Sequence, residues 1–309
     1  MSDTLRLSRR AALIGAAALP LSAALPGRAA HAGAEMKGPG GKDFNRFMLG
    51  DLEVTVLLAA TRPVENPHGI FGLNVGVEEF EAVSRAAFLP TDVSQFFFTP
   101  TLVNTGAELV LFDTGLNGAG IAGALGAAGY APDQVDVVVI THMHPDHIGG
   151  LMTDGAPTFP NARFVTGQVE FDAWSKAGNE LFEANVAPLA DRMSFLSGGG
   201  AVAPGITAVE AFGHTPGHMA YMLESGGRQL LVFADTANHY VWSLAYPDWE
   251  VRFDMDKGRA AETRRKVLGM LAADRVTFIG YHMPFPAMGY VETRGDGFDY
   301  VPVSYQMML

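Results

Sequence analysis

Residues 141–150 read THMHPDHIGG. Three histidines and an aspartate fall between positions 142 and 147, directly after the apolar run VDVVVI (135–140). Imidazole and carboxylate are the usual protein ligands of zinc and related divalent ions. The spacing adds geometry. His142 and His144 are two apart, so extended backbone points them the same way. Pro145 disfavours helix at residue 144 and keeps that stretch extended. Asp146 and His147 follow where the chain turns, and their adjacency suits a different direction. One cluster thus offers two pairs of ligands, more than a single tetrahedral ion with an open position can use alongside outside help.

Outside help comes from four further islands, each closing an apolar strand-like run. They are FDTG (112–115) with Asp113, GHTPGH (213–218) with His214 and His218, FADT (233–236) with Asp235, and GYHMPFP (280–286) with His282. Groups that carry chemistry in sheet proteins gather where strands end, because rigid backbone there positions the connections. Two ions sharing one carboxylate would account for His142, His144, Asp146, His147, His214, Asp235 and His282 together. Asp113 also suits a turn before Thr-Gly. His218 is expected to hold the HTPGH turn, while His239 follows Asp235 closely enough to line a pocket.

The rest of the chain sets the frame. Its 309 residues are 48% hydrophobic, enough for a sizeable core. There is no Cys, which excludes disulfides, thiolate nucleophiles, Cys-based zinc sites and iron–sulfur clusters. LSRRAALIGAAALPLSAALPGRAAHA at the N-terminus has the order of an export signal, and Arg9-Arg10 after Ser8 resembles a twin-arginine signal. Residues 1–32 are therefore expected to direct the chain to the periplasm or beyond, with cleavage near Ala32. Removing four Arg and one Asp would take the net charge from −12 to −15. So acidic a body argues against nucleic acid as a partner. No other apolar run approaches a membrane span. Residues 33–50 are Gly-rich and polar and are expected to form a loose arm. From 51 to 309 strand-like runs alternate with helix-like ones, such as 78–89, 119–130, roughly 168–196 and 259–274. That pattern predicts one layered α/β domain with helices outside and sheet inside.

THMHPDHIGG, followed in order by GHTPGH, FADT and GYHMP, resembles the metallo-β-lactamase-fold hydrolases over most of residues 50–309. The resemblance implies a four-layer αββα sandwich. It also implies one metal on His142, His144 and His214, and a second on Asp146, His147 and His282. Asp235 would bridge both ions beside a water or hydroxide, and zinc is the expected ion. Asp113 would orient a ligand histidine such as His142 through a hydrogen bond.

Such a pair of ions makes hydrolysis the default chemistry, with a bridging hydroxide as nucleophile and Asp235 holding the ions. Asp146 could accept or relay a proton to the leaving group, as the resemblance implies. The aspartate at 235 disfavours a true β-lactamase. Only five Lys are present, none in the ligand islands, which disfavours a thioesterase acting on anionic thioesters. The islands are flanked instead by aromatics in QFFFTP (95–100), FDAW (171–174) and HYVWSLAYPDW (239–249). Phe98, Trp174, His239 and Trp242 are the candidates for an apolar pocket that takes a small uncharged ester. MLGDLEVTVL (48–57), LVNTG (102–106) and MPFPAMGYVETRGDGFDYVPVSY (283–305) are similar to the methyl parathion hydrolase group. Members cleave organophosphate triesters, and relatives cleave lactones and aryl esters. Residues 116–128 depart from that group by being shorter and Gly/Ala-rich. The expected activity is thus hydrolysis of a lactone, aryl ester or organophosphate triester. The alternatives are a β-lactamase or thioesterase and, from another class, an iron-containing redox protein of the same fold. A homodimer is one of the assemblies the sequence leaves open.

Overall fold

Val137–Ile140, the strand that leads into the histidines, is wholly buried and divides its side chains between two cores. Val137 and Val139 join a cluster shared with a second sheet, whereas Val138 and Ile140 join one shared with helices. That split is the period-2 alternation of a strand buried on both faces. The computed structural model describes residues 41–304; the export signal expected over 1–32 lies outside the described residues.

In chain order the strands begin with β1 (Phe44–Leu49), β2 (Leu52–Leu57), β3 (Ala60–Glu65), β4 (Val93–Phe98), β5 (Thr101–Asn104) and β6 (Leu109–Phe112). Next are β7 (Val137–Ile140), β8 (Met152–Thr153), β9 (Ala156–Pro157), β10 (Arg163–Gly167), β11 (Met193–Leu196) and β12 (Ala201–Ala203). The last are β13 (Ile206–Glu210), β14 (Met219–Ser225), β15 (Arg228–Ala234), β16 (Thr277–Gly280), β17 (Met288–Arg294) and β18 (Gly297–Pro302). The helices are α1 (Val77–Ala86), α2 (Gly118–Ala127), α3 (Pro145–Ile148), α4 (Gln168–Trp174), α5 (Glu180–Asn185) and α6 (Lys257–Asp274).

One seven-stranded sheet runs β1-β2-β5-β6-β7-β10-β11 and the other β12-β13-β14-β15-β16-β17-β18. Within the first, β6, β7, β10 and β11 are parallel neighbours. The sheets meet through Val54, Val56, Val110, Phe112, Tyr221, Leu223 and Leu231 in one cluster. Ile121 and Leu125 of α2, with Phe182 of α5 and the following Val186 and Leu189, cover the outer face of the first sheet. Val267, Leu268 and Leu271 of α6 pack on the second, where α6 lies along β17. The order helix, sheet, sheet, helix is the expected αββα sandwich. Each fully buried Val or Leu in such layers contributes about 1.5–3 kcal/mol.

Two expectations are corrected. The loose arm over 33–50 contains a strand, because Phe44–Leu49 pairs antiparallel with Leu52–Leu57. Half-exposed Asn45 and Arg46 hid its periodicity, as befits an outermost strand, and the unit that carries the fold begins at Lys42 instead of 51. The helical region over 168–196 is broken into α4, α5, a 3-10 turn at Ala187–Arg192 and strand β11. Among the described residues no helix is long and apolar enough to cross a membrane.

Candidate metal centre

Strand β7 stops at Ile140, and the next residues swing across the ends of both sheets. His144 caps α3 with extended backbone (φ −69°, ψ 155°), as Pro145 requires, while Asp146 and His147 occupy the first helical turn. The HIGG tail is a packing requirement. A Cβ on Gly149 would stand 2.3 Å from the Leu116 carbonyl oxygen, and one on Gly150 2.1 Å from that of Thr114. Only glycine lets this turn lie directly on the loop after β6. The second sheet supplies the other ligands from its strand ends: His214 after β13, Asp235 after β15 and His282 after β16.

All seven expected groups converge. Ligand atoms of His142, His144 and His214 lie within 4.8 Å of one another, as do those of His142, His147 and Asp235, and of Asp146, His147 and His282. Asp235 sits at the middle. Its Oδ2 is 3.3 Å from His214 Nε2 and 3.2 Å from His282 Nε2, and its Oδ1 is 3.4 Å from His147 Nε2. Asp146 Oδ2 is 3.2 Å from His282 Nε2, and His144 Nδ1 is 2.9 Å from His214 Nε2.

Hydrogen bonds behind the rings decide which nitrogen faces inward. Nδ1 of His147 donates to Asp113 (2.8 Å), that of His214 to Asp254 (2.8 Å), and that of His282 to the Phe97 carbonyl (2.8 Å). The Thr141 hydroxyl donates to Asp113 and so receives His142 Nδ1 (3.1 Å). Each of these four rings thereby turns an Nε2 lone pair to the centre, the arrangement that metal-ligating histidines need. Nε2 of His142 and His147 and Oδ1 of Asp235 are buried with no hydrogen-bond partner. A buried polar atom left so costs about 1–3 kcal/mol, and divalent ions satisfy such a donor set. The residues therefore fit two divalent cations of the zinc type.

Charge follows from the same contacts. Burial pushes the Asp235 carboxyl up, but the protonated forms of His282, His147 and His214, which the carboxylates favour, outweigh it and hold the group well below its usual range; a divalent cation would take the place of those protons. For Asp146 burial is likewise overcome by His147 and His282, to about 2. His144 is pushed down to about 3 by burial and the neighbouring His214, so it stays a neutral ligand.

Asp113 orients His147 directly and reaches His142 only through Thr141, which corrects the expected His142 contact. Its backbone is left-handed (φ 62°), held there by Asp113 Oδ1 accepting from Thr141 N–H (2.8 Å). His218 spans the Ala211 carbonyl and the Asp235 N–H (both 3.1 Å), so it places the backbone of Asp235. Three residues were missed by sequence reasoning. Glu170, fully buried on α4, accepts from Met143 N–H, Gly217 N–H and the Thr215 hydroxyl, tying the two histidine loops together. Asp254 joins His214 to the buried Arg264 (2.7 Å). Tyr281 donates its hydroxyl to the Asp146 carbonyl (2.6 Å). Glu170 stands near Asp172, and Asp254 between Arg252 and Asp256, so nothing local set them apart from ordinary surface charges.

A cavity of about 430 Å³ opens onto His144, Asp146, Asp235 and His282, walled by Phe96, Phe98 and Leu116. Phe98 is where it was expected, edge-on to His282 at 5.4 Å. The other pocket candidates are not. Trp174 belongs to the helix-side core, with its ring edge-on to His144 at 5.9 Å, and does not line this cavity. His239 accepts from Val241 N–H and Trp242 N–H and stacks on Trp242 (4.0 Å), whose indole N–H donates to Ser84. Both line a separate cavity of about 280 Å³ that also touches His282. The 239–249 aromatics thus serve mainly as a third core beneath β3, β4 and α1. Two arginines, Arg62 and Arg252, also line the cavity at the centre, beside its apolar walls.

Comparison with known proteins agrees with this geometry. The Metallo-beta-lactamase superfamily profile matches residues 99–278. An N-acyl homoserine lactonase of a Bacillus species is 30% identical over 105 residues, 34% of this chain and 39% of its own length. That of Bacillus cereus is 27% identical over 111 residues, 36% of this chain and 42% of its own length. The chain thus spans about two fifths of the curated relatives it matches. Among solved structures, the dizinc quorum-quenching lactonase AidC, in complex with a product, superposes with a TM-score of 0.78 at 25% identity, covering 85% of this chain and 98% of that one. The hydrolase AbOPH gives 0.80 at 24% identity, covering 87% and 100%. A profile match over more than half its length, on the fold and ligand order described, means that the chain belongs to the metallo-beta-lactamase superfamily.

Proposed function

We propose that the chain is a dinuclear metal-dependent hydrolase that opens lactones and related esters. The observation that carries this reading is the convergence of seven ligand groups with three of their buried atoms unpartnered. His142, His144 and His214 would hold one ion, Asp146, His147 and His282 the other, and Asp235 both; zinc is the ion we favour. Such ions, when bound, supply an activated water and Lewis acidity toward a carbonyl oxygen. The chain's own residues do the rest. Phe96 and Phe98 wall the apolar side of the cavity. The Asp146 carboxylate, partly exposed in the cavity, would accept the proton of the attacking water and return it to the departing alkoxide, a role its exposure beside His282 supports. Hydrogen bonds accepted by Asp113, Asp254 and Glu170 keep the ligand loops in register.

The lactone class rests on relatives that are N-acyl homoserine lactonases and on a dizinc lactonase of like fold. The narrower likeness to methyl parathion hydrolases rests on the sequence motifs, and export on residues 1–32. Elemental analysis of the purified chain is expected to find two ions per chain, falling toward one in Asp235→Ala. One ion per chain, unchanged by that substitution, sinks the dinuclear centre. A panel of lactone, paraoxon and nitrocefin on zinc-loaded protein is expected to rank the lactone first.

A further inference from the structure

Of the cations that line the cavity, both are arginines, and neither is neutralised. Arg46, Arg85, Arg163, Arg264, Arg265 and Arg294 each pair with a carboxylate. Arg62 and Arg252 have no partner for their guanidinium groups among the described residues, in a chain with 33 acidic residues against 21 basic ones. The carboxylates that share their cavity, Asp146 and Asp235, are engaged by His282, His147 and His214.

The Cα positions of both arginines are set by backbone pairing. Arg62 lies on β3 opposite Phe96 of β4, with Val64 on the same face of that ribbon. Ribbon and centre are joined, because the Phe97 carbonyl of β4 receives His282 Nδ1. Arg252 N–H donates to the Ile70 carbonyl (2.8 Å), and two residues on, Asp254 receives His214 Nδ1. The backbone that carries each arginine is thus tied through a few residues to a different ligand histidine, while both side chains are exposed. Ile70, Phe253 and Leu116 line the same cavity and make the rest of its wall mostly apolar.

Two unpaired like charges in one cavity repel each other, and an anion between them relieves that repulsion while gaining charge-assisted hydrogen bonds. We propose that the substrate carries a carboxylate beyond its scissile bond, and that Arg62 and Arg252 hold this carboxylate at the cavity mouth. The inference rests on the hydrolase reading above and specifies its substrate. Guanidinium suits the task because its planar fork matches a carboxylate and stays charged at any working pH.

The test uses zinc-loaded full-length protein and two δ-lactones that differ only at a side-chain terminus, carboxylate in one and primary amide in the other. The acid is expected to exceed the amide in kcat/KM by about tenfold, mainly through KM, as partly exposed charge-assisted contacts allow. Arg62→Gln and Arg252→Gln are each expected to cut that ratio several-fold, and added NaCl to erode it. Arg228→Gln, a cation outside the cavity, should leave the ratio as it is. Equal turnover of acid and amide by the unaltered protein, or a ratio indifferent to both cavity substitutions, overturns the proposal while leaving the hydrolase standing. If neither lactone is opened, the hydrolase reading falls. Calorimetric binding of acid against amide to the same variants then still decides the arginines, with equal affinities counting against them.

Discussion

Histidine in this protein does two jobs, separated by which ring nitrogen is occupied. In the centre Nδ1 of His142, His147, His214 and His282 faces a protein acceptor and Nε2 faces inward. His239 is turned the other way, its Nδ1 accepting two backbone N–H groups at the start of the 240–245 turn. Burial pushes His239 down to about 3, so it is neutral in the folded chain. Unfolded, the same ring titrates near 6.5. Folding therefore releases its proton below that value, and the stability it permits is present above pH 6.5 and lost as pH falls toward 3. Compared with His239→Gln, the natural chain should lose about 2 kcal/mol more between pH 7.5 and 5. Urea midpoints at the two pH values measure this, and parallel pH profiles would refute it.

Elements are joined at the centre by buried charges more than by apolar contact. Glu170 of α4 receives hydrogen bonds from the loops that carry His144 and His214. Asp254, just before α6, is fixed by Arg264 of α6 and in turn fixes His214. Removing one partner of such a network leaves buried donors without acceptors. Glu170→Ala is expected to lower the unfolding free energy by about 3 kcal/mol. It should also weaken the ion on His142, His144 and His214 before the other, which chelator competition would resolve. Uniform weakening of both ions would mean that Glu170 supports the fold alone.

At the scale of the whole molecule, the centre exists because two sheets end together. Three of its ligands come from the second sheet and four from the turn after β7 of the first, so the sheets must keep a set alignment. One contact that enforces this lies in the turn between β1 and β2. Gly50 there adopts φ +56°, and a Cβ would stand 2.6 Å from Oγ of Ser225, the last residue of β14. Asp51 N–H donates to the same oxygen (2.9 Å). Gly50→Ala adds both left-handed strain and a collision, and should cost about 2 kcal/mol. Thermal unfolding of the metal-loaded chain is the check, and an unchanged Tm would show that the turns move apart freely.

Some of this was written in local sequence. The HxHxDH spacing, the Pro that keeps residue 144 extended and the apolar strand before them all act over fewer than about ten residues, where chain geometry dictates direction. Their later partners stand in an order that made the fold legible before any coordinates, and the structure brings the seven expected groups together. Other features were out of reach because they depend on which distant segments touch. Asp113 looked like a partner for His142 but meets His147; Trp174 looked like a pocket wall but fills the helix-side core, and Trp242 lines a different cavity from the one at the centre. Glu170, Asp254 and the two cavity arginines carried no periodic or motif signal at all. The sequence by itself determined the kinds of atoms offered to a metal. Tertiary structure alone decided what stands behind each ligand and what faces the substrate, because burial and hydrogen bonding are properties of packed neighbours rather than of residues in line.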